Sequence, residues 1–394
     1  MSSPVKPSAP PVKFWRDPAK RALLFQLVLL CAVAAFIAFI VNNTLNNLST
    51  RGITTGFGFL DDPAGFAIAQ SLIPYAETDT YGRTFVVGLL NTLLVSFLGI
   101  IGATLLGFVI GVARLSPNWL IARLASAYVE LFRNIPLLLQ MFFWYFAVLR
   151  TLPGPRDSLS LNDSVFLNVR GLYLPEPIPG SGFIWIWPAL LLALVLAFWL
   201  VRFNHRRQDA TGQRLPVWSI SLGLVILLPG LTFLALGAPL EWNYPELRGF
   251  NFRGGMTIIP EFLALWLSLT VYTAAFIAEI VRSGIQAISH GQTEAAHALG
   301  IKDSLTLRLV IIPQALRVII PPLTSQYLNL TKNSSLATAI GYPDLVSVFA
   351  GTTLNQTGQA IEVIAITMLV YLSISLAVSF FMNWFNSRMA LVER

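Results

Sequence analysis

The chain has one cysteine in 394 residues, Cys31, so no internal disulfide is possible. It is also short of charge. Only 11% of its residues are Asp, Glu, Lys or Arg, where a soluble domain carries about 25%. No Gly-x-x-x-x-Gly-Lys-Ser/Thr run occurs, so the chain does not bind nucleotide through a P-loop. Any uphill work must draw on another subunit or on a gradient. No Ser-His-Asp or paired-carboxylate arrangement can be placed. His290 and His297 stand seven apart without a cysteine or carboxylate at ligand spacing, which makes a poor metal site. No catalytic residue, metal or cofactor is therefore expected, and the chain is not expected to be an enzyme.

What is present is apolar length. Hydrophobic residues make up 55% of the chain, and the mean hydropathy is +0.68. Crossing the hydrocarbon core takes about 20 apolar residues. Eight runs qualify: Leu23–Val41, Phe85–Ala113, Ala125–Leu149, Phe183–Val201, Val217–Leu236, Phe262–Val281, Val318–Ile340 and Ile361–Phe381. They are too long and too evenly apolar for the alternating strands of an outer-membrane barrel. The fold class expected is all-α, a polytopic helical membrane protein.

The net charge of +7 does not point to nucleic acid, because the charge is segregated along the chain. Lys6, Lys13, Arg16, Lys20 and Arg21 precede the first run. Arg114 and Arg123 separate the second and third, and Arg202, Arg206, Arg207 and Arg214 the fourth and fifth. Arg282, Lys302, Arg308 and Arg317 flank the loop after the sixth, and Arg388 and Arg394 close the chain. With eight spans all these segments fall on one side. The opposite loops are richer in acids: Asp61, Asp62, Glu77, Asp79, Asp157, Asp163, Glu176, Glu241 and Glu246. This is the positive-inside pattern, which puts both termini in the cytoplasm. The leader from Pro4 to Pro11 reads as disordered. With its long basic stretch and no small-x-small site near Val41, the first run reads as an uncleaved anchor rather than a signal peptide.

The texture changes along the chain. Asn91-Thr92-Leu93-Leu94-Val95-Ser96 is followed by Gly99, Gly102, Gly107 and Gly111, small residues that let helices approach closely in lipid. Residues 151–182 are rich in Pro, Gly and Asn and read as a periplasmic loop. The division expected is a cytoplasmic leader over 1–22, an anchor helix and periplasmic loop over 23–84, and a core in two parts, 85–150 and 260–390. An insertion with two extra spans lies between them, over 151–259.

A polar loop at 289–316 interrupts the second part. Thr293 to Leu299 has a helical pattern with three alanines. Gly300 suits the left-handed position that ends a helix. Asp303 suits an N-cap for a second helix, Ser304 to Ile312, and Pro313 does not easily continue it. Glu294 would then sit in a first turn, at the positive end of the helix dipole. The loop offers no catalytic group. It reads as a finger that a soluble partner grips.

The run Glu294-Ala295-Ala296-His297-Ala298-Leu299-Gly300 with Val310-Ile311-Ile312-Pro313 resembles the coupling loop of bacterial ATP-driven import permeases. That pattern is Glu-Ala-Ala, three residues, Gly, nine residues, Ile, one residue, Leu-Pro. Val310 stands where Ile is usual and Ile312 where Leu is usual, while Glu294, Gly300 and Pro313 fall in register. Further runs are similar to those of polar-amino-acid permeases. They are Arg133-Asn134-Ile135-Pro136-Leu137-Leu138-Leu139-Gln140, Ala278-Glu279-Ile280-Val281-Arg282-Ser283-Gly284-Ile285, and Lys332-Asn333-Ser334-Ser335-Leu336. The enlarged middle is similar to one permease of the general L-amino-acid uptake systems. The resemblance implies a type I, MetI-like permease core of five helices with extra helices added. It also implies pairing with a second, related permease, two ABC ATPase subunits docked on the coupling loops through Glu294, Ala295, Ala296, Gly300 and Pro313, and a periplasmic amino-acid-binding protein. Transport would run by alternating access. An ion-driven secondary transporter and a non-transporting membrane scaffold are the rival readings. The first predicts inverted sequence halves, which are not seen.

Charges inside spans are costly, about 2.5–3.5 kcal/mol each on insertion scales, so they face a partner or a wet cavity. Glu130 and Arg133 are three apart on one face, either as an ion pair or as a pathway wall that attracts the two charges of an amino acid. Gln140 lies on roughly the same face, with Trp144 one turn on. In the seventh span Gln326, Asn329 and Asn333 recur at helical spacing beside Lys332. This stripe is read as a wall of the translocation path in preference to inter-helix hydrogen bonding. Glu279 and Arg282 read as a structural pair.

Overall fold

The computed structural model describes residues 18–50, 52, 55–212 and 215–389. The proline-rich leader, Arg214 and Arg394 lie outside them. Among the described residues seven helical segments are long and apolar enough to span a membrane, or up to eight if one bent pair counts as a single span. In order the helices are α1 Pro18–Thr50, α2 Tyr81–Ala113, α3 Trp119–Asn134, α4 Leu137–Phe142, α5 Ile186–Thr211 and α6 Val217–Ala235. Then come α7 Pro260–Gln286, α8 His290–Ala298, α9 Asp303–Thr306, α10 Ile312–Asn333, α11 Leu354–Thr357 and α12 Ala360–Met389.

The third expected span is the one that differs. Ala125–Leu149 is not a single helix. It is α3 followed by α4 and a π turn, bent by 104° at the break. Pro136 is the cause. A proline disfavours the helical region for the residue before it, and Ile135 is extended at φ −98°, ψ 127°. Asn118 starts α3 by accepting the amides of Leu120 and Ile121 on its side chain.

The core is α2, α7 and α10, with α12 against α10. Its fully buried side chains include Met141, Leu265, Leu269, Ile277, Ile319 and Leu330. The glycines of α2 make this approach possible. A Cβ added at Gly107 would lie 2.6 Å from the Cβ of Ile277 on α7. Polar staples reinforce the packing, as expected where lipid supplies no hydrophobic drive between helices. Asn91 Nδ2 donates to the carbonyls of Gln70 and Pro343 at 2.8 and 2.9 Å, and the Leu345 amide donates to Thr92 Oγ1 at 3.0 Å. A second cluster, Phe59, Tyr81, Leu345, Phe349 and Val363, ties the 55–80 loop to α2 and α12.

The segments on either side of the α5–α6 hairpin carry short strands that an all-helical reading did not foresee. β1 Leu159–Leu161, β2 Val165–Asn168, β3 Gly171–Leu174 and β4 Glu176–Pro179 precede it. β5 Leu240–Asn243, β6 Glu246–Arg248, β7 Asn251–Arg253 and β8 Met256–Ile258 follow. They form one sheet in the order β1-β2-β3-β8 and two pairs, β4-β5 and β6-β7, all antiparallel. The β1–β2 hairpin turns through Asn162 and Asp163 at φ 51° and 49°, residue types that tolerate left-handed backbone. The pairings β3–β8 and β4–β5 join the two flanks, so the hairpin leaves the core on a closed stalk. The chain remains mostly helical.

Candidate coupling and translocation sites

Two polar features stand out from this apolar scaffold. The first is the finger between α7 and α10. Ser289 begins α8 as its N-cap, accepting the Gly291 amide on Oγ at 3.3 Å. The helix therefore starts at His290, three residues earlier than the sequence pattern suggested, and Glu294 sits in its second turn rather than its first. Glu294 and Ala295 are exposed, while Ala296 is buried against the base of the finger.

Gly300 ends α8 at φ +71° with open space where a Cβ would go, so the glycine is needed for its backbone and not for room. The Gly300 amide donates to the His297 carbonyl at 2.9 Å and the Ile301 amide to the Ala296 carbonyl at 3.1 Å. This pairing is a Schellman cap. His297 Nε2 reaches Asp303 Oδ1 at 2.8 Å across the turn. Asp303 is the first residue of α9, and Lys302 holds the cap position without a side-chain bond. Pro313 does not stop the second helix. The chain widens into a π turn over Leu307–Ile311, and α10 then runs on with Pro313 in its first turn, where a missing amide hydrogen is tolerated. Gln314 Nε2 donates to Gln292 Oε1 at 3.3 Å and fastens the finger to the span. Leu299, at the apex, is 80% exposed. An apolar side chain that sequence reading passed over is thus the tip of the finger.

The second feature is polar groups at membrane depth. Arg133 does not pair with Glu130. Its Nη1 lies 3.6 Å from Glu279 Oε2, and its guanidinium sits over the Phe276 ring at 5.2 Å. Glu279 also binds Arg282 at 2.5 Å and takes a short contact from Arg114. One carboxylate thus joins the ends of α2, α3 and α7. The structural reading of Glu279 and Arg282 understated this, because the two other arginines come from distant segments. Glu130 is exposed and forms no ion pair among the described residues. Gln140 is buried, and its Nε2 donates to the Phe132 and Ile135 carbonyls, both at 2.9 Å. It stitches the break at Pro136.

On α10 the stripe keeps one face. Asn329 and Lys332 are exposed, Gln326 and Asn333 are half-buried, and no hydrogen bond joins these side chains to the described chain. The adjoining face packs on α2, where Tyr327 OH and Thr104 Oγ1 are 2.9 Å apart and Leu330 meets Gly99. Lys332 also lines a cavity of about 430 Å3 with Ser335, Thr367, Tyr371 and Ser375. Beside it Asp344 is fully buried. Its Oδ1 accepts the Ser347 amide at 2.8 Å and its Oδ2 lies 3.4 Å from Tyr371 OH. Sequence reading missed Asp344, although a lone acid in a long apolar stretch was the available signal.

Spanning helices, an open polar face and a protruding finger define a membrane transport subunit. Residues 212–391 match the model of the binding-protein-dependent transport system inner membrane component family. The chain is 61% identical over 378 residues to the putative amino-acid ABC transporter permease protein YhdX of Escherichia coli, covering 96% of each. It is 53% identical over 379 residues to the general L-amino acid transport system permease protein AapQ of Rhizobium johnstonii, covering 96% of this chain and 94% of that protein. It is 46% identical over 409 residues to the glutamate/glutamine/aspartate/asparagine transport system permease protein BztB of Rhodobacter capsulatus, covering 96% of each. The chain belongs to the amino-acid ABC transporter permeases. It is a multi-pass permease subunit of an ABC importer, not an enzyme, and ATP hydrolysis is the task of a separate subunit.

Proposed function

We propose that this permease carries L-amino acids from periplasm to cytoplasm across a bacterial inner membrane, with both termini in the cytoplasm. The names of its relatives support that substrate class. A periplasmic amino-acid-binding protein delivers the substrate, and a second, related permease faces the Gln326, Asn329, Asn333 stripe. The core over 85–150 and 260–390 does the work, and 151–259 is an insertion. ATPase subunits grip the finger through Leu299 and the exposed side of Glu294 and Ala295, with Gly300 and Pro313 setting its shape. Closure of the ATPases moves the finger and, through α10, the stripe. Lys332 and Arg133 are the candidate cations for a substrate carboxylate. Glu130 and Gln140 complete the set of path candidates, Gln140 by holding the bend.

The observation that carries this reading is the finger itself, a capped turn between α7 and α10 that presents an exposed leucine. The test is uptake into proteoliposomes containing the complex and its binding protein. ATP on the ATPase side should drive accumulation of labelled amino acids. Accumulation by an ion gradient without ATP would favour the secondary-transporter reading, and no uptake of any amino acid under either drive would favour a scaffold.

A further inference from the structure

Transport as described above leaves the α5–α6 hairpin without a task. Its helices pack chiefly on each other, and they expose apolar side chains around most of their surface, such as Leu191, Leu222, Ile226 and Leu231. The end of the pair that carries the arginines is different. A cavity of about 640 Å3 opens there between the Ala197–Gln208 stretch of α5 and the Leu215–Ser221 stretch that begins α6. Phe198, Val201, Val217 and Trp218 give it apolar walls. The Ser221 hydroxyl is shut off from solvent and has no hydrogen-bond partner among the described residues.

A smaller cavity of about 180 Å3 adjoins it, lined by Trp199, Arg202, Phe203 and Arg206, and Phe198 is the wall common to both. The Arg202 guanidinium stands 5.1 Å from the centre of the Phe198 ring. Arg206 is one turn further on and shares that face. Both arginines are exposed, and neither has a carboxylate within 4.0 Å among the described residues. Nearby, Asp209 is exposed and Arg207 adds a further cation, so this end of α5 stays net positive.

We propose that the arginine-rich end of the α5–α6 hairpin is a binding site for an anionic phospholipid. The phosphate is held at Arg202 and Arg206, and an acyl chain lies in the cavity between the helices. Two guanidiniums on one face match a phosphate, and basic pockets between spanning helices suit anionic headgroups. Trp199 and Trp218 are the amphipathic type that settles at the headgroup level. Charge complementarity alone would also suit a soluble anion. Such an anion leaves the apolar walls without an occupant, whereas a lipid fills both parts.

The full-length chain in nanodiscs of equimolar phosphatidylglycerol and phosphatidylcholine, released and weighed by native mass spectrometry, tests this. Wild type should retain phosphatidylglycerol over phosphatidylcholine by about 30-fold, the scale of two arginine contacts at a membrane surface. The double variant R202Q/R206Q should lose that preference and R202K/R206K should keep most of it, which separates lost charge from lost folding. Ser221→Phe, which fills the cavity, should lower retention of both lipids. Equal retention of the two lipids by wild type, or an unchanged preference in R202Q/R206Q, would overturn the site. Unchanged retention in Ser221→Phe would overturn the acyl-chain placement. Displacement of the lipid by millimolar glycerol phosphate would show a soluble-anion site instead.

Discussion

The Ile301 amide donates to the Ala296 carbonyl at 3.1 Å, closing the chain around Gly300 in the left-handed region. This bond holds Leu299 outward. Gly300→Ala should cost about 1–2 kcal/mol locally, since a Cβ is disfavoured at that φ. Gly300→Pro also removes the amide that bonds His297, and a proline ring cannot adopt φ +71°. The alanine variant should keep part of its uptake, and the proline variant and Glu294→Lys should lose it, all at normal membrane abundance. Leu299→Lys should reduce co-purification of the ATPase. Normal uptake and normal co-purification across this set would mean that the ATPase docks elsewhere.

A second expectation concerns packing. Gly107 leaves no room for a side chain beside Ile277, so Gly107→Val should overpack the α2–α7 contact by about 1–3 kcal/mol. Thermal unfolding of the purified chain in detergent would read this as a lowered midpoint. Ile277→Ala, added to Gly107→Val, should recover part of the loss. Additive damage from the two changes would mean that they do not meet.

Glu279 gives a contrast with Glu130. Replacing Glu279 by Gln leaves Arg114, Arg133 and Arg282 facing one another without their shared carboxylate. The loss should be of the order of 1–3 kcal/mol for charge-assisted bonds removed from a partly buried site. Glu130→Gln should cost less than about 0.5 kcal/mol, as a surface change does. Equal effects of the two variants on the unfolding midpoint would disprove the distinction.

Much of this layout is legible in the sequence because its signals are local. Seven of the eight apolar runs fall within helices of matching position, and the Gly300 cap follows from one residue's backbone freedom. The exceptions have physical reasons. Pro136 was present in the third run, but apolar content hid the break it forces. Strands of three or four residues, such as β6 and β7, are too short for a two-residue period to register. Arg133 was matched with Glu130 by helical spacing, whereas its actual partner, Glu279, arrives through tertiary packing. The bonds from Gln140 to the Phe132 and Ile135 carbonyls were not legible either, because they depend on the bend at Pro136 and not on helical spacing.

Orientation makes a prediction of its own. A reporter fused after Pro155 should be active only in the periplasm, and one fused after Gln208 only in the cytoplasm, by the distribution of arginines. The bent α3–α4 pair makes this a sharp test, because it counts as a crossing only if its two pieces together traverse the membrane. Cytoplasmic activity after Pro155 would mean that they do not, and the positions of α5 and α6 would invert.

The last prediction concerns the open face of α10. Asn329 is exposed and Asn333 half-buried, and neither is hydrogen-bonded to the described chain. Amides left bare against hydrocarbon would cost several kcal/mol together, about 2–7 each depending on the reference state. A wet cavity or a partner helix must therefore cover them. With Cys31 replaced by Ala, single cysteines at Asn329 and Asn333 should react with small water-soluble thiol reagents in the assembled complex. Reactivity should change between the resting state and one trapped with a transition-state mimic of ATP hydrolysis, because alternating access opens and shuts this face. Leu330 is fully buried against α2, and a cysteine there should stay unreactive in both states, with half-buried Leu328 in between. Labelling that follows this order but ignores nucleotide would make the stripe a static wet surface. Leu330 labelling as fast as Asn329 would mean that α10 is rotated from the placement described. Silence at both Asn positions in every state would make the stripe an interface between helices, with the pathway running elsewhere, and Lys332 would then be the next position to probe.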